Sequence, residues 1–153
     1  MKEGTFSSCS NCKCVINCCQ MFDKINAPTL NAEEIGIIRK NFLNFYDVHD
    51  TNLFTLKIKN TDCIFFKNGK CCIYDIRPLD CRLYPFDIIK QNDKYYLILY
   101  KLSCFQEKDL LKNLDEINLL VEKVKPWIQT FTNEICFTKM QKMKYSIIKE
   151  IEI

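Results

Sequence analysis

The 153-residue sequence predicts an α+β fold. A segment with helical spacing of apolar residues lies at positions 29–46, and segments with strand-like alternation fill the middle of the chain. Helical spacing returns after Cys104. This order of loop, helix, small sheet and helices is typical of an α+β domain.

The first helix is predicted within TLNAEEIGIIRKNFLNFY. Asn31 is a suitable N-cap, and Glu33 and Glu34 lie in the first turn, where carboxylates interact favourably with the helix dipole. Four apolar residues follow helical spacing and are expected to face the core: Ile35, Ile38, Phe42 and Phe45.

Strands are predicted in the middle of the chain. Phe54, Leu56 and Ile58 alternate with polar residues in NLFTLKIKN, and Asn68-Gly69 indicates a turn between two short extended segments. The stretch FDIIKQNDKYYLILYKL predicts a hairpin with residues 91–94 as its loop.

The C-terminal third is predicted to be helical. Pro126 either ends the first of its helices or begins the next one, and a last helix is expected over 138–153. The apolar stripe of the first comprises Leu110, Leu114, Ile117, Val121 and Val124, and that of the last Met140, Met143, Ile147 and Ile151. We expect a single domain over 1–153, with a metal-binding part at 1–104 and a helical part at 105–153.

Composition excludes several classes of function. Hydrophobic residues make up 48% and charged residues 27%, which indicates a globular chain, and the net charge is only +3. The densest set of lysines (Lys139, Lys142, Lys144 and Lys149) is typical of a solvated helix face, so no nucleic-acid partner is expected. No apolar run resembles a signal peptide or a membrane span, so the expected compartment is the cytoplasm, with no membrane partner.

Eleven cysteines in a reducing compartment favour metal ligation over a disulfide framework. The first group, CSNCKCVINCC at 9–19, contains the C-x2-C pair Cys9 and Cys12, with Cys14 shortly after. Cys18 and Cys19 are adjacent, and neighbouring side chains on an extended backbone point to opposite sides. Either one of them is a ligand and the other fills the core, or each serves a different centre.

The second group carries a more specific pattern, CIFFKNGKCCIYDIRPLDCRLYPF at 63–86. This pattern resembles the YkgJ-type cysteine-cluster family, described as zinc- or iron-chelating domains. The matching positions are Cys63, Gly69, Cys71-Cys72-Ile73-Tyr74, Arg77-Pro78, Cys81-Arg82 and Tyr84-Pro85-Phe86. The resemblance covers about positions 6–104, although the N-terminal cluster has three more residues between Cys12 and Cys18 than the C-x2-C-x2-C-C of the family.

The resemblance implies eight candidate ligands. They could form two metal sites of four cysteines each, or one four-cysteine site with the other four cysteines structural. They are Cys9, Cys12, Cys18, Cys19, Cys63, Cys71, Cys81 and Cys104. Cys14 is an extra or a substitute ligand, and Cys72 occupies a variable, non-ligating position. Cys136, alone in the C-terminal region, is expected to be a buried small hydrophobe.

Other residues of the second group have two interpretations each. Arg77 and Arg82 either offset the negative charge of the thiolates and donate hydrogen bonds to sulfur or to backbone carbonyls, or form ion pairs with Asp75, Asp80 or Asp87. Pro78 and Pro85 fix the backbone where the thiols converge. Tyr74, Tyr84 and Phe86 exclude water from the metal or belong to the ordinary core.

The only histidine is His49. A metal ligand or an acid–base group paired with Asp47 or Asp50 is one interpretation, and an exposed loop residue is the favoured one. The sequence contains no phosphate-binding glycine loop and no G-x-S-x-G or H-E-x-x-H motif.

These patterns predict a metal-binding protein whose cysteines hold iron–sulfur centres, with a 4Fe–4S cluster favoured over zinc because the ligand spacing is long and no histidine lies near the thiols. The expected role is electron transfer or metal handling. In the expected fold, a small antiparallel sheet and cysteine-rich loops surround the metal, and C-terminal helices pack on one side.

Two alternatives remain at this point. One is a cluster-dependent enzyme that modifies a protein or peptide side chain, because the cluster region is also similar to that of flagellin lysine-N-methylases. The other is a zinc-stapled domain that binds a protein or peptide partner.

Overall fold

The structure is a computed structural model that describes residues 19, 27–50, 53–101, 106–131 and 144–153. In these ranges, small antiparallel sheets combine with a few helices, which confirms the α+β class.

The N-terminal part packs one helix beside a three-stranded sheet. The helix is α1 (Ala32–Arg39), and the strands are β1 (Thr29–Leu30), β2 (Tyr46–Asp50) and β3 (Leu53–Leu56). They pair antiparallel in the order β1–β3–β2.

The helix predicted in this region is correct but too long. It ends at Arg39, and the chain turns at Asn44, which has a positive φ of 55°. Phe42 and Phe45 therefore follow the helix instead of belonging to it, and β2 occupies the end of the predicted segment. Pairing with β3 satisfies the backbone of β2, and helical spacing could not reveal that long-range interaction.

Two short hairpins carry the next cysteines. The first joins β4 (Ile58–Lys59) to β5 (Asp62–Cys63), and the second joins β6 (Phe66–Lys67) to β7 (Lys70–Cys71). Asn68 and Gly69 at the tip of the second hairpin both have positive φ, 51° and 76°. The predicted turn is confirmed.

A 3₁₀ turn and a short helix connect these hairpins to a second three-stranded sheet. The turn is Tyr74–Ile76, the helix is α2 (Leu79–Leu83), and the next strands are β8 (Phe86–Gln91) and β9 (Lys94–Tyr100). The predicted hairpin is confirmed with a loop reduced to Asn92 and Asp93, because residues 91 and 94 pair with each other.

Helices follow β9, as predicted, but the chain ends in a strand. The helices are α3 (Glu107–Leu111), α4 (Leu114–Val124) and α5 (Ile128–Phe131), with a 3₁₀ turn at Lys125–Trp127. Pro126 thus lies in a turn that both ends α4 and leads into α5.

The helix expected over 138–153 is wrong where the structure describes it, since residues 145–151 form β10 (Tyr145–Ile151), which pairs antiparallel with β9. The free edge of β9 offers hydrogen-bond partners to this aromatic and β-branched segment. Ile147 is 53% exposed, whereas Ile151 is buried. Met140 and Met143 lie outside the described residues.

Two main apolar clusters stabilise the described parts. The first packs α4 against the sheet β10–β9–β8 and includes Leu83, Phe86, Leu97, Leu99, Ile117, Val121 and Ile151. The second, called here the cysteine core, comprises Ala27, Leu30, Ile35, Ile38, Phe45, Leu56, Ile58, Cys63, Phe65 and Ile73. Helix α2 lies between the two, in contact with β1, β8 and α4. None of the helices in the described ranges has the length and apolarity needed to cross a membrane.

We predict that Ile117→Ala lowers the free energy of unfolding by about 2–5 kcal/mol, because the Ile117 side chain is fully buried and its truncation leaves a cavity. Leu119→Ala on the same helix is the matched control, since Leu119 is 66% exposed. Urea denaturation measures both variants. Equal losses for the two would contradict the packing of α4 described here.

Candidate metal centre

The structure brings four of the described cysteines to one apolar cluster. Cys63 belongs to the cysteine core, and Cys19, Cys71 and Cys81 pack against it, whereas the neighbouring Cys72 is exposed. No disulfide joins these five residues. The remaining cysteines lie outside the described residues: Cys9, Cys12, Cys14, Cys18, Cys104 and Cys136.

Cys19 connects the first cysteine group to the second. Its carbonyl oxygen accepts a hydrogen bond of 2.8 Å from the backbone N–H of Cys63. Its thiol is hydrogen-bonded to the thiol of Cys71. Two remote parts of the chain therefore meet at their sulfur atoms.

The surroundings of Cys71 lower the pKa of its thiol. The hydrogen bond with Cys19 holds the pKa of the Cys71 thiol below its ordinary value, although burial opposes this shift. The backbone N–H of Ile73 and the positive charge of Arg77 lower the same pKa further, while Cys63 raises it.

Cys63 lies in a drier environment. Burial raises the pKa of its thiol, and hydrogen bonds from the backbone N–H groups of Phe65 and Phe66 offset only part of that effect. These donors lie two and three residues after Cys63, in the connection to β6 and at the first residue of β6. The hairpins therefore aim backbone N–H groups at the sulfur atoms.

This donor set fits a thiophilic metal. Zinc and iron–sulfur clusters require deprotonated sulfur ligands, and hydrogen bonds to sulfur stabilise the bound thiolates. Among the described residues, no three Cys, His, Asp or Glu side chains form a closed ligand set. Cys19, Cys63, Cys71 and Cys81 could hold the metal, which would supply the positive charge that their thiolates need.

Glu34 fixes the start of the helix that carries Cys81. One carboxylate oxygen (Oε2) accepts from the N–H of Asn31, and the Asn31 side chain accepts from the N–H of Glu34, which completes a capping box on α1. The other oxygen (Oε1) accepts from the N–H of Leu79 at 2.6 Å. Glu34 thus caps its own helix and the first turn of α2, where Pro78 provides no side-chain cap.

Asp80 connects the same short helix to the N-terminal sheet. Its Oδ2 accepts a 2.7 Å hydrogen bond from the N–H of Thr29, and the Thr29 hydroxyl is also its partner. Burial and the nearby charge of Asp87 raise the pKa of Asp80 to about 8. Burial also raises the pKa of Asp87, despite hydrogen bonds from the Tyr100 hydroxyl and the N–H of Ile88.

Arg77 makes an aromatic contact. Its guanidinium carbon lies 3.7 Å from the ring centroid of Tyr74, and its buried Nε has no hydrogen-bond partner among the described residues. Arg82 interacts electrostatically with Glu34.

Of the two interpretations of the aromatic residues, the ordinary core applies to Phe86 and Tyr84. Phe86 belongs to the cluster beneath α4, and Tyr84 packs in a small third cluster with Ile89 and Ile98. Phe45 and Phe65 stand beside Cys63 instead.

His49 is exposed, as expected, but it lies in β2 instead of a loop. Its Nε2 is hydrogen-bonded to the hydroxyl of Thr55 at 2.6 Å. Among the described residues, His49 therefore contributes no ligand to the cysteine core.

Sequence reasoning missed the connecting roles of Glu34 and Thr29. The pattern Asn31-x-x-Glu34 is a capping-box signature, so the first role of Glu34 had a local signal. Its bond to Leu79, and the bonds between Thr29 and Asp80, depend on tertiary contacts and had none.

A comparison with protein families supports a metal-binding role for the cysteines. Residues 8–108 match the model of the CxxCxxCC family, whose description reads "Putative zinc- or iron-chelating domain". No curated protein and no solved structure matches the chain. The matched range includes all eight predicted ligands and excludes Cys136.

We predict that Glu34→Ala destabilises the protein by about 1–3 kcal/mol, because it leaves the N–H of Leu79 without its acceptor and breaks the capping box. Glu33→Ala is the control, since Glu33 occupies the same first turn but is exposed. Urea denaturation measures both variants. A Glu34→Ala variant as stable as Glu33→Ala would contradict the capping of α2.

A second prediction concerns pH. Asp80 and Asp87 have raised pKa values in the folded state. Above about pH 4, where an unfolded Asp loses its proton, the folded protein therefore binds more protons than the unfolded chain. Stability should fall as the pH rises from about 4 towards about 8, with a slope of up to about 1.4 kcal/mol per pH unit for each proton.

Asp87→Asn should make this decline shallower, because it removes the charge that raises the pKa of Asp80. Urea denaturation at several pH values measures the effect. The variant is compared with wild type at each pH, so that the pH dependence of metal binding, which both proteins share, cancels. Asp109→Asn is the control, since Asp109 is exposed and Lys112 lowers its pKa. Parallel curves for wild type and Asp87→Asn would contradict the prediction.

Proposed function

The chain belongs to the CxxCxxCC family of zinc- or iron-chelating domains, and from this membership we propose that its cysteine thiolates hold an iron–sulfur cluster with a role in electron transfer or metal handling. The observation that carries the proposal is the hydrogen bond between the thiols of Cys19 and Cys71. Sulfur atoms from both cysteine groups thus lie side by side at the edge of one apolar core.

The first centre takes its ligands from both groups. Cys63 and Cys71 each end the second strand of a hairpin, β5 and β7, and Cys19 is hydrogen-bonded to both residues. Cys81 packs against the same core from α2 and is the fourth ligand in this proposal. The other four are Cys9, Cys12, Cys18 and Cys104, which complete or extend the set.

Two features support iron–sulfur over zinc. The ligands are spread over long sequence separations, unlike the short knuckles of most zinc fingers. The described donors near the core are all sulfur, and several backbone N–H groups point to them. Hydrogen bonds to sulfur are a principal means by which proteins adjust cluster reduction potentials.

Elemental analysis of the anaerobically purified chain tests the metal. Iron together with acid-labile sulfide and a brown colour is the expected result. A colourless protein that contains only zinc would replace the cluster with a structural zinc site. A protein without either metal, even after reconstitution with iron and sulfide or with zinc, would refute the proposal.

We predict that Cys71→Ser lowers the bound metal by at least about half and lowers the melting temperature, because metal binding and folding are linked. Cys72→Ser is the matched control, since Cys72 is the next residue but is exposed. Metal content per chain and thermal unfolding are measured for both. If Cys71→Ser keeps the metal content and melting temperature of wild type, Cys71 is not a ligand.

A further inference from the structure

Arg77 occupies the connection between two proposed ligands. It follows the 3₁₀ turn Tyr74–Ile76 and precedes Pro78 and α2, so the chain runs from Cys71 through Arg77 to Cys81. Ile73, immediately before the turn, belongs to the cysteine core, and Cys81 in α2 packs against that core. The side chain is partly buried, and its guanidinium stacks on the ring of Tyr74.

The buried Nε–H of Arg77 lacks an acceptor among the described residues. A buried donor without a partner costs about 1–3 kcal/mol, and more when the group is charged. The acidic residues nearby in sequence do not supply the acceptor. Asp80 accepts from Thr29, Asp87 accepts from Tyr100 and Ile88, and Asp75 is exposed.

We propose that Arg77 is a positioning residue of the metal centre, whose Nε–H donates a hydrogen bond to a sulfur atom of the metal-bound site and whose charge offsets that of the thiolates. This inference rests on the proposed function. The acceptor of the Arg77 Nε–H would be a thiolate sulfur, which is available only when the cysteines are deprotonated and bind the metal.

Chemistry and electrostatics support this role. Metal centres with several thiolate ligands carry net negative charge, and a guanidinium cannot lose its proton at physiological pH. The charge of Arg77 already acts on Cys71, where it lowers the pKa of the thiol. Stacking on Tyr74 holds the guanidinium in place, so little conformational entropy is lost when the sulfur acceptor forms.

The test compares four full-length proteins: wild type, Arg77→Gln, Arg77→Lys and Arg39→Gln. Arg39 is the matched control, because it also stacks on a tyrosine, Tyr46, but lies on the exposed end of α1. Co²⁺ titration under anaerobic conditions, followed by Zn²⁺ competition against a chromophoric chelator, gives the affinity of each protein. Urea denaturation of the metal-free forms measures whether the substitutions merely weaken the fold.

We expect Arg77→Gln to lower Zn²⁺ affinity by about 10–100-fold, the usual effect of losing a hydrogen bond to a metal ligand. Arg77→Lys restores part of the affinity through its charge, and Arg39→Gln stays within about twofold of wild type. In protein reconstituted with iron and sulfide, Arg77→Gln should shift the reduction potential to more negative values, because removal of a positive charge disfavours the added electron.

The outcomes separate this inference from the proposed function. If wild type binds neither Zn²⁺ nor a reconstituted iron–sulfur cluster, both the role of Arg77 and the proposed function are refuted. If wild type binds metal and Arg77→Gln binds it equally well, only the role of Arg77 is refuted. The role is also overturned if Arg77→Gln and Arg39→Gln lose Zn²⁺ affinity equally. It is overturned as well if the loss of Zn²⁺ affinity in Arg77→Gln is fully explained by a lower stability of the metal-free protein.

Discussion

The contact between Cys19 and Cys71 is the constraint that the cysteine-bearing part of the fold has to satisfy. It closes a long loop, and such closure costs conformational entropy that a single thiol hydrogen bond cannot offset. The cysteine core supplies the offset, because burial of Leu30, Ile38 and Phe45 holds the segment that follows Cys19 against the hairpins. Packing thus brings the sulfurs together, and a bound metal would then stabilise the packing.

Helix α2 illustrates how this part is held without a long helix or a large sheet. Five residues are too few for a helix to be stable alone, so the position of Cys81 is set from outside. Glu34 provides that support by accepting from the N–H of Leu79 at the start of α2, and Asp80 provides it by accepting from the N–H of Thr29 in β1. Burial raises the pKa of both carboxyl groups, because each loses hydration in the position from which it accepts these hydrogen bonds.

Local signals predicted much of the fold. The capped start of α1, the Asn68-Gly69 turn and the apolar stripe of α4 all depend on residues within a few positions of one another. Strands β2 and β10 were missed because their backbones are satisfied by β3 and β9, which no local pattern encodes. At the site, the family pattern singled out Cys63, Cys71 and Cys81. It could not reveal that Cys19 meets Cys71, or that Arg77 stacks on Tyr74, because both contacts arise only in the folded chain.

The apolar setting of the thiols favours their neutral form, so metal ligation by Cys63 would require a compensating positive charge. Burial in the cysteine core raises the pKa of Cys63, so the protein alone disfavours the thiolate there. The N–H groups of Phe65 and Phe66 offset part of that penalty, but neutral donors carry only partial charge. A bound metal ion would offset the remainder, because metal ligation requires the deprotonated thiol. The dryness of the core and the need for a cation are therefore two consequences of the same packing.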